Sequence, residues 1–385
     1  MRKNVCHFIR KSTHVRSSFI QNQINNHLRY KPFIVSKAAS DKEDGGFALF
    51  DDSGIEWLDL SENEDFTSRV LYKSLKLISK NDRSLLTDFL EKNQIQLMHF
   101  HFGTDAGIYS PLLAHVKIPS VVSFYGYDCS GFPKKMMGYG ATYLKTRVFP
   151  YVTKVLAMSP DMKNDLIKAG CPEEKITVHY YGTDVESFYM NRAYVQKDES
   201  RFLIISGLFE QKGHLFLLEA FKEAYAQNQK IRLAIVGDGP MRDPITDYIK
   251  KYDMHYVSYE GKVVYGSEAH MDYLRNADVF IHPSITETTG DKEGIPGSIV
   301  EAMAAGLPVI STYHAGIPYI IEHDKSGLLV KEWDIRALKD QIVRLAANHE
   351  DRKRMGVQGQ DYAMRYLDLK KKEKELENIY DQLLT

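Results

Sequence analysis

Two glutamates with a glycine-proline loop and seven residues between them carry the strongest chemical signal in this 385-residue chain. Glu293 opens the segment EGIPGSIVEAMAAGLPVIST, residues 293–312, and Glu301 lies inside it. Gly294 and Gly297 permit close backbone approach, Pro296 suits a first helical position, and Gly306 suits a helix end ahead of a strand. The segment therefore reads as loop, short helix, strand. The first amides of that helix, around Gly297, Ser298 and Ile299, form a ready anion site with the positive end of the helix dipole. A carboxylate beside an anion site is unfavourable unless it binds something else, and the neutral hydroxyls of a sugar or ribose are the natural partners. Taken singly, each glutamate would pass for a helix-start or solvated residue; the loop between them favours a binding role.

A second anion site is expected at SGLFEQKGH, residues 206–214, directly after a strand and opening a helix. Gly207 and Gly213 relax the backbone there, and Lys212 reaches a phosphate as a point charge. The phosphate-binding pattern G-x-x-x-x-G-K-[ST] is absent. Gly237-Asp238-Gly239-Pro240 forms a third strand-end turn, a weaker signal alone. In the first half the corresponding strand ends are HFHFGTDAG (99–107) and SFYGYDCSG (123–131). His99 and His101 share one strand face and supply half of a metal site at most; a buried pair without further ligands is the reading taken. Tyr125, Tyr127 and Asp128 follow a strand and are expected to face the ligand. With no Asp-x-Asp between apolar residues, a metal-clamped diphosphate is disfavoured, and no G-x-S-x-G elbow is present.

The elements that must position these residues alternate between strand and helix. Strands are expected at Val5–Ile9, Gln96–Phe102, Ser120–Phe124, Val155–Met158, Phe202–Ser206, Arg232–Val236, Val279–His282 and Pro308–Ser311. Helices are expected at His214–Ala226, Ala269–Arg275 and Ser298–Ala305. This alternation predicts an α/β fold with parallel sheets, occurring twice. The three glycine turns of the second half fall at carboxyl ends of strands, where open sheets bind ligands. The expected division is a first domain over 1–185, a polar linker over 186–200, a second domain over 201–365 and a C-terminal helix over 366–385 that folds back on the first domain. A ligand cleft between the domains is the natural expectation for such a chain.

Composition narrows the function classes. At 43% apolar and 26% charged the chain is neither disordered nor fibrous. Cys6, Cys129 and Cys171 are scattered and never form C-x-x-C, against a disulfide framework or structural zinc, so a reducing cytoplasm fits best. The apolar stretch before Arg10 is too short for a signal peptide, and no run reaches the roughly 18 apolar residues of a membrane span. Near-zero net charge hides two acid-free basic runs. Residues 1–40 hold Arg2, Lys3, Arg10, Lys11, Arg16, Arg29, Lys31 and Lys37; residues 129–160 hold Lys134, Lys135, Lys145, Arg147 and Lys154. The second run is interleaved with Phe132, Met136, Met137, Tyr139, Tyr143, Leu144 and Phe149. Together the runs favour an anionic membrane surface over nucleic acid, for which no recognition motif is present.

These residues resemble the retaining GT-B glycosyltransferases of family 4, whose hallmark is a Glu-x7-Glu element. Glu293 and Glu301 match its spacing, and HPSITETTGDKEGIPGSIVEAMAAGLPVISTYHAGIP (282–318) is similar to bacterial members that build capsular, exopolysaccharide or lipopolysaccharide chains. SSFIQNQI (17–24), HFHFGT (99–104), SFYGYD (123–128), YYGTDVESF (180–188), KGH (212–214) and VGDGP (236–240) extend the likeness over most of the chain. The resemblance implies two Rossmann-like domains with parallel sheets facing a central cleft and a nucleotide-sugar donor held mainly by the second. It implies donor binding by Glu301 at the ribose hydroxyls, by Gly294, Ile295, Pro296, Gly297 and Ser298 through the backbone, and by Gly207, Gly239, Lys262 and Val263, the last two at the base. It implies catalytic roles for Glu293 at the donor sugar, Lys212 at the diphosphate, Tyr125 and Asp128, with His101 and Gly103 on the acceptor side. Retention by front-face displacement follows, with no covalent nucleophile, no metal and no cofactor. The acceptor is a glycan or lipid-linked glycan, reached from the cytoplasm or from the inner membrane face.

Three positions depart from the family pattern. Tyr125-Gly126 stands for His-Gly, Gly207 for an arginine, and Tyr319 for the glutamate of Gly-Ile-Pro-Glu. Two other readings remain open at this level: a glycosidase using Glu293 and Glu301 as its carboxylate pair, and a sugar-nucleotide or partner-binding protein without turnover.

Overall fold

A computed structural model describes residues 2–11, 18–38, 54–62 and 64–385. Arg16 and Ser17 of the sequence motifs lie outside the described residues. The chain divides into two units, Met1–Gly182 with Leu369–Thr385, and Thr183–Asp368.

The first unit is built on seven strands: β1 Lys3–Lys11, β2 Tyr30–Ala38, β3 Trp57–Asp59, β4 Leu97–His101, β5 Ser120–Phe124, β6 Lys154–Ala157 and β7 Ile176–Val178. They run parallel in the order β3-β2-β1-β4-β5-β6-β7. Every residue of β4 and β5 is buried, as expected of parallel strands covered on both faces. β2, β3 and β7 carry no clear signal in the sequence. Pro32 demotes a strand candidate, although here it pairs in register with Val5, and three-residue strands carry no measurable period.

The C-terminal helix Leu369–Leu383 packs on this unit, where Leu376 and Tyr380 join Val5, Tyr30, Leu97, Val121 and Leu156 in one apolar cluster. Burying a leucine side chain such as Leu376 is worth roughly 1.5–3 kcal/mol. The helix is also held by charge: the Glu377 carboxylate accepts from the Leu28 and Arg29 amides at 2.7 and 2.8 Å and from Arg29 Nε at 2.9 Å.

Those contacts alter the meaning of the first basic run. Lys3 and Arg29 pair with Asp381, Arg10 with Asp105, and Lys37 with Glu64 and Asp82. Acids remote in sequence thus engage Lys3, Arg10, Arg29 and Lys37 internally. In the second run Tyr143, Leu144 and Phe149 turn into the core rather than outward. Lys134, Lys135, Met137 and Tyr139, at the start of the helix Lys135–Arg147, are exposed. Among the described residues no helix is long and apolar enough to cross a membrane.

The second unit contains β8 Ser200–Ile205, β9 Ile231–Val236, β10 Val257–Gly261, β11 Val279–His282, β12 Val309–Thr312 and β13 Gly327–Val330. All pairs are parallel in the order β10-β9-β8-β11-β12-β13, so strand order reverses between β8 and β11. Residues 186–200, expected as a linker, belong to this unit. The Arg192 guanidinium donates to the carbonyls of Ala305, Ala277 and Leu274 at 2.9, 2.7 and 2.5 Å, capping the ends of the helices Gly297–Ala304 and Glu268–Asn276 together.

Candidate functional site

In a doubly wound sheet the loops leaving the two strands that flank the reversal diverge and leave room for a ligand. Here those loops follow β8 and β11, and they carry Lys212 and Glu293. Gly213 makes their approach possible. Its φ is +69°, and a Cβ there would stand 2.0 Å from the Pro283 carbonyl oxygen. Gly237, at φ +148°, serves the neighbouring turn in the same way, since a Cβ would lie 1.8 Å from the Ser206 carbonyl oxygen.

The approach brings Lys212 Nζ to 2.6 Å from Glu293 Oε2, while Ser284 Oγ donates to Glu293 Oε1 at 3.2 Å. The Glu293 amide donates to His314 Nε2 at 3.1 Å, and His314 Nδ1 bonds the Glu332 carboxylate at 2.7 Å. The Glu293 side chain is only 7% exposed. Burial alone would push its carboxyl up, but Lys212, His282 and His314 outweigh that and hold it below the usual glutamate value. Glu293 is thus an anion whose position is fixed from three sides.

Glu301 sits differently. It lies inside the helix Gly297–Ala304, is buried, and has His270 Nε2 3.9 Å from Oε2. Burial pushes its carboxyl up to about 7, with a hydrogen bond to Tyr265 acting the other way. His270 Nδ1 accepts from the Gly266 amide at 3.1 Å, which places the ring proton on Nε2, facing Glu301. That buried Nε2 has no hydrogen-bond partner. Pro296 is the N-cap residue, and Ile299 N–H closes back on the Pro296 carbonyl, leaving the Gly297 and Ser298 amides as the open donors of the first turn. Gly294 and Ile295 are buried and hold the loop, Gly294 by accepting from the Gly316 amide at 3.1 Å. Gly207 and Gly239 stand in the turns after β8 and β9. Lys262 is exposed and Val263 half-buried beyond β10.

The first-unit residues form their own group. Asp128, expected to face a ligand, is buried, and its carboxylate accepts from the backbone amides of Gly103 at 2.8 Å, Tyr125 at 3.0 Å and Gly126 at 3.2 Å. It clasps the ends of β4 and β5 together. Burial raises it to about 6, against the pull of those amides. Replacing Asp128 with alanine leaves three amides without their acceptor, a loss of about 3 kcal/mol expected from this unit by urea unfolding; a loss under about 0.5 kcal/mol would show that the clasp contributes nothing. Tyr125 O–H meets His101 Nδ1 at 2.7 Å, so its hydroxyl is engaged inward, and His101 and Gly103 are themselves buried.

Sequence reasoning missed His270, which faces Glu301 without bonding it, and His314 and Glu332, which fix the Glu293 backbone, because single histidines in loops and helices carry no spacing signal. Among the described residues two groups have metal-ligand proximity, His7, His99 and His101, and His27, Glu373 and Glu377. In the first, both ring nitrogens of His7 already bond other imidazoles. A cavity of about 650 Å³ in the second unit, lined by Arg201, Arg232, Tyr256 and Asp272, lies along the strands and away from the glycine turns.

Comparisons with known proteins bear on the family and the fold. Residues 63–187 match the family model described as Glycosyltransferase Family 4, and residues 188–362 that described as Glycosyl transferases group 1. A putative colanic acid biosynthesis glycosyltransferase of Escherichia coli (strain K12) is 34% identical over 255 residues, 63% of this chain and 59% of that protein. The amylovoran biosynthesis glycosyltransferase of Erwinia amylovora is 34% identical over 209 residues, 53% of this chain and 50% of that protein. The chain spans little more than half the length of these curated relatives. Among solved structures, the Anabaena protein HepE in complex with UDP aligns with a TM-score of 0.78 at 15% identity, covering 99% of this chain and 100% of that one. At that identity the likeness speaks for the fold.

Proposed function

Because the chain belongs to glycosyltransferase family 4 and has the GT-B fold, we propose that it moves a hexosyl or related group from a nucleotide-sugar to a glycan or lipid-linked glycan in cell-surface polysaccharide synthesis. The observation that carries this reading is the arrangement at the β8/β11 reversal: open helix amides at Gly297 and Ser298 flanked by two differently tuned glutamates whose side chains are less than a tenth exposed. Glu301 accepts from the ribose hydroxyls and Glu293 from hydroxyls of the donor sugar. The open amides and Lys212 take the pyrophosphate, and Lys212 exchanges its ion pair with Glu293 for one shared with phosphate. Charge building on the departing diphosphate is met by groups already in place, which is where catalytic stabilisation is greatest. The anomeric configuration is retained, with the leaving phosphate assisting removal of the acceptor proton, and neither metal nor cofactor takes part. The colanic acid and amylovoran roles in the names of the relatives support the polysaccharide assignment, and the UDP of the Anabaena complex supports a nucleotide donor.

The first unit binds the acceptor in this reading, and the protein works in the cytoplasm or at the inner face of the membrane, held by Lys134, Lys135, Met137 and Tyr139. Absence of binding to anionic liposomes at low salt would remove that membrane contact from the account. A second reading, a binding protein without turnover, draws on the engagement of the Tyr125 hydroxyl by His101 and on glycine at position 207. A thermal-shift panel of UDP, GDP and ADP sugars in EDTA tests both. One nucleotide class at a hundredfold excess over its Kd should stabilise by about 2.7 kcal/mol. A response to none contradicts donor binding, and a response without transfer or donor hydrolysis across acceptors selects the second reading.

A further inference from the structure

A file of buried polar side chains crosses the first unit from the C-terminal helix to the turn that follows β5. His27 Nδ1 stands 2.5 Å from Glu373 Oε1, His27 Nε2 is 2.8 Å from His7 Nε2, and His7 Nδ1 is 3.0 Å from His101 Nε2. His101 Nδ1 then meets the Tyr125 hydroxyl at 2.7 Å. Four contacts link five residues, and His7, His101 and Glu373 are at most 1% exposed. We propose that Glu373, His27 and His7 are positioning residues that act through His101 as a one-proton relay and set the direction of the Tyr125 hydroxyl.

The proposal follows from counting hydrogens. Each nitrogen–nitrogen contact holds one hydrogen, so each neutral imidazole has a single tautomer that fits its neighbours. With Glu373 ionised and the imidazoles neutral, Tyr125 O–H donates to His101 Nδ1, and His101 Nε2–H donates to His7 Nδ1. His7 Nε2–H then donates to His27 Nε2, and His27 Nδ1–H faces the carboxylate across their 2.5 Å ion-pair contact, whose alignment is not that of a hydrogen bond. One proton taken up by the file reverses every link: each shared hydrogen moves one step towards Glu373, which becomes the carboxylic acid, and Tyr125, having given its hydrogen to His101, takes up the new one. His27 then donates from Nε2, His7 and His101 both donate from Nδ1, and Tyr125 accepts, with its new hydrogen pointing away from His101, beside Ser123.

Burial favours this exchange at the acid end of the file. It lowers His101 to about 3 and His7 well below the ordinary histidine value, and it raises Glu373. Glu377 and Tyr380 of the same helix, Arg29 and Tyr30 beside His27, and His99 on β4 surround the file. Glu377 is satisfied by Arg29 and two amides, and His99 by Tyr380 and Ser123, so neither needs to share the relay hydrogens.

The effect on sugar transfer rests on the proposed function; the relay itself does not, and its test is spectroscopic. Long-range proton–nitrogen NMR of the full chain with labelled histidines reports each tautomer. His7 and His101 should share one tautomer, both Nε2–H at high pH, and change together to Nδ1–H on acidification. Glu373→Gln should abolish that joint change or move it by more than about one pH unit, and Glu373→Asp should restore it, while the His99 signals stay in place to show that the fold is intact. Where transfer is measured, Glu373→Gln should displace the pH profile of kcat with little change in KM. Unlike tautomers at His7 and His101, independent titration of the two rings, or a stoichiometric divalent ion that a chelator removes from His27 and Glu373 would each overturn the relay. Absence of transfer by the unaltered chain would count against the proposed function and leave the NMR test of the relay unaffected.

Discussion

Glu293→Gln is expected to lower kcat for sugar transfer by about 100-fold or more, with a smaller change in KM, in a protein that remains folded. The Glu293 side chain is 7% exposed and already ionised through Lys212, His282 and His314, so once Lys212 has turned to the diphosphate it holds donor hydroxyls while charge develops at the anomeric centre. Glutamine preserves the shape and loses the charge. It also frees Lys212 from its 2.6 Å partner, which keeps the lysine available to the diphosphate and spares ground-state binding. The measurement is steady-state transfer beside a thermal melt without ligand. A variant with unaltered kcat would show that Glu293 only anchors its loop, and one that melts far lower would assign it to stability.

Glu301→Ala is expected to act on binding instead. Hydrogen bonds from ribose hydroxyls to an ionised carboxylate are worth roughly 1.5–3 kcal/mol, so donor nucleotide affinity should fall about 10- to 150-fold. The raised pKa of Glu301 supplies a second readout. Because Glu301 titrates near 7 in the free protein and binds ribose as the anion, nucleotide affinity should decline as pH falls through 7, with up to one proton released on binding there. Calorimetry at pH 6.5 in buffers of different ionisation enthalpy detects that proton. The alanine variant should release none. The sign for folding is opposite: a carboxyl raised above its unfolded value loses stability as pH climbs from about 4.5 towards 7, so the alanine variant without ligand should be no less stable at pH 8.

Much of this site was legible in the sequence because backbone-driven features leave strong marks. The Glu-x7-Glu spacing, the glycines at strand ends and the continuous apolar runs of β4, β5, β11 and β12 each follow from a local requirement for close approach, a helix start or burial on both sheet faces. The strands that escaped are short, or, like β2 with Lys31, Pro32 and Lys37, carry residues that only remote partners make tolerable; Lys37 is buried because Glu64 and Asp82 come to it. The same cause hides the partners of Lys3 and Arg29 in the first basic run, whose counter-charges come from the far end of the chain in Glu377 and Asp381. Asp128 shows the converse limit. Its place in the sequence suggests chemistry, and only the three amides around it reveal a structural clasp. His270, which faces Glu301, and His314, which accepts the Glu293 amide, were not singled out because a lone histidine carries no spacing signal of its own.

A crystal structure of the protein with a nucleoside diphosphate, grown in EDTA, tests the central claim most directly. The account predicts pyrophosphate oxygens on the Gly297 and Ser298 amides, Lys212 turned from Glu293 towards them, and the ribose hydroxyls on Glu301. A nucleotide seated elsewhere, as in the cavity beside Arg201 and Arg232, or one that enters only with a divalent ion on its phosphates, would contradict it.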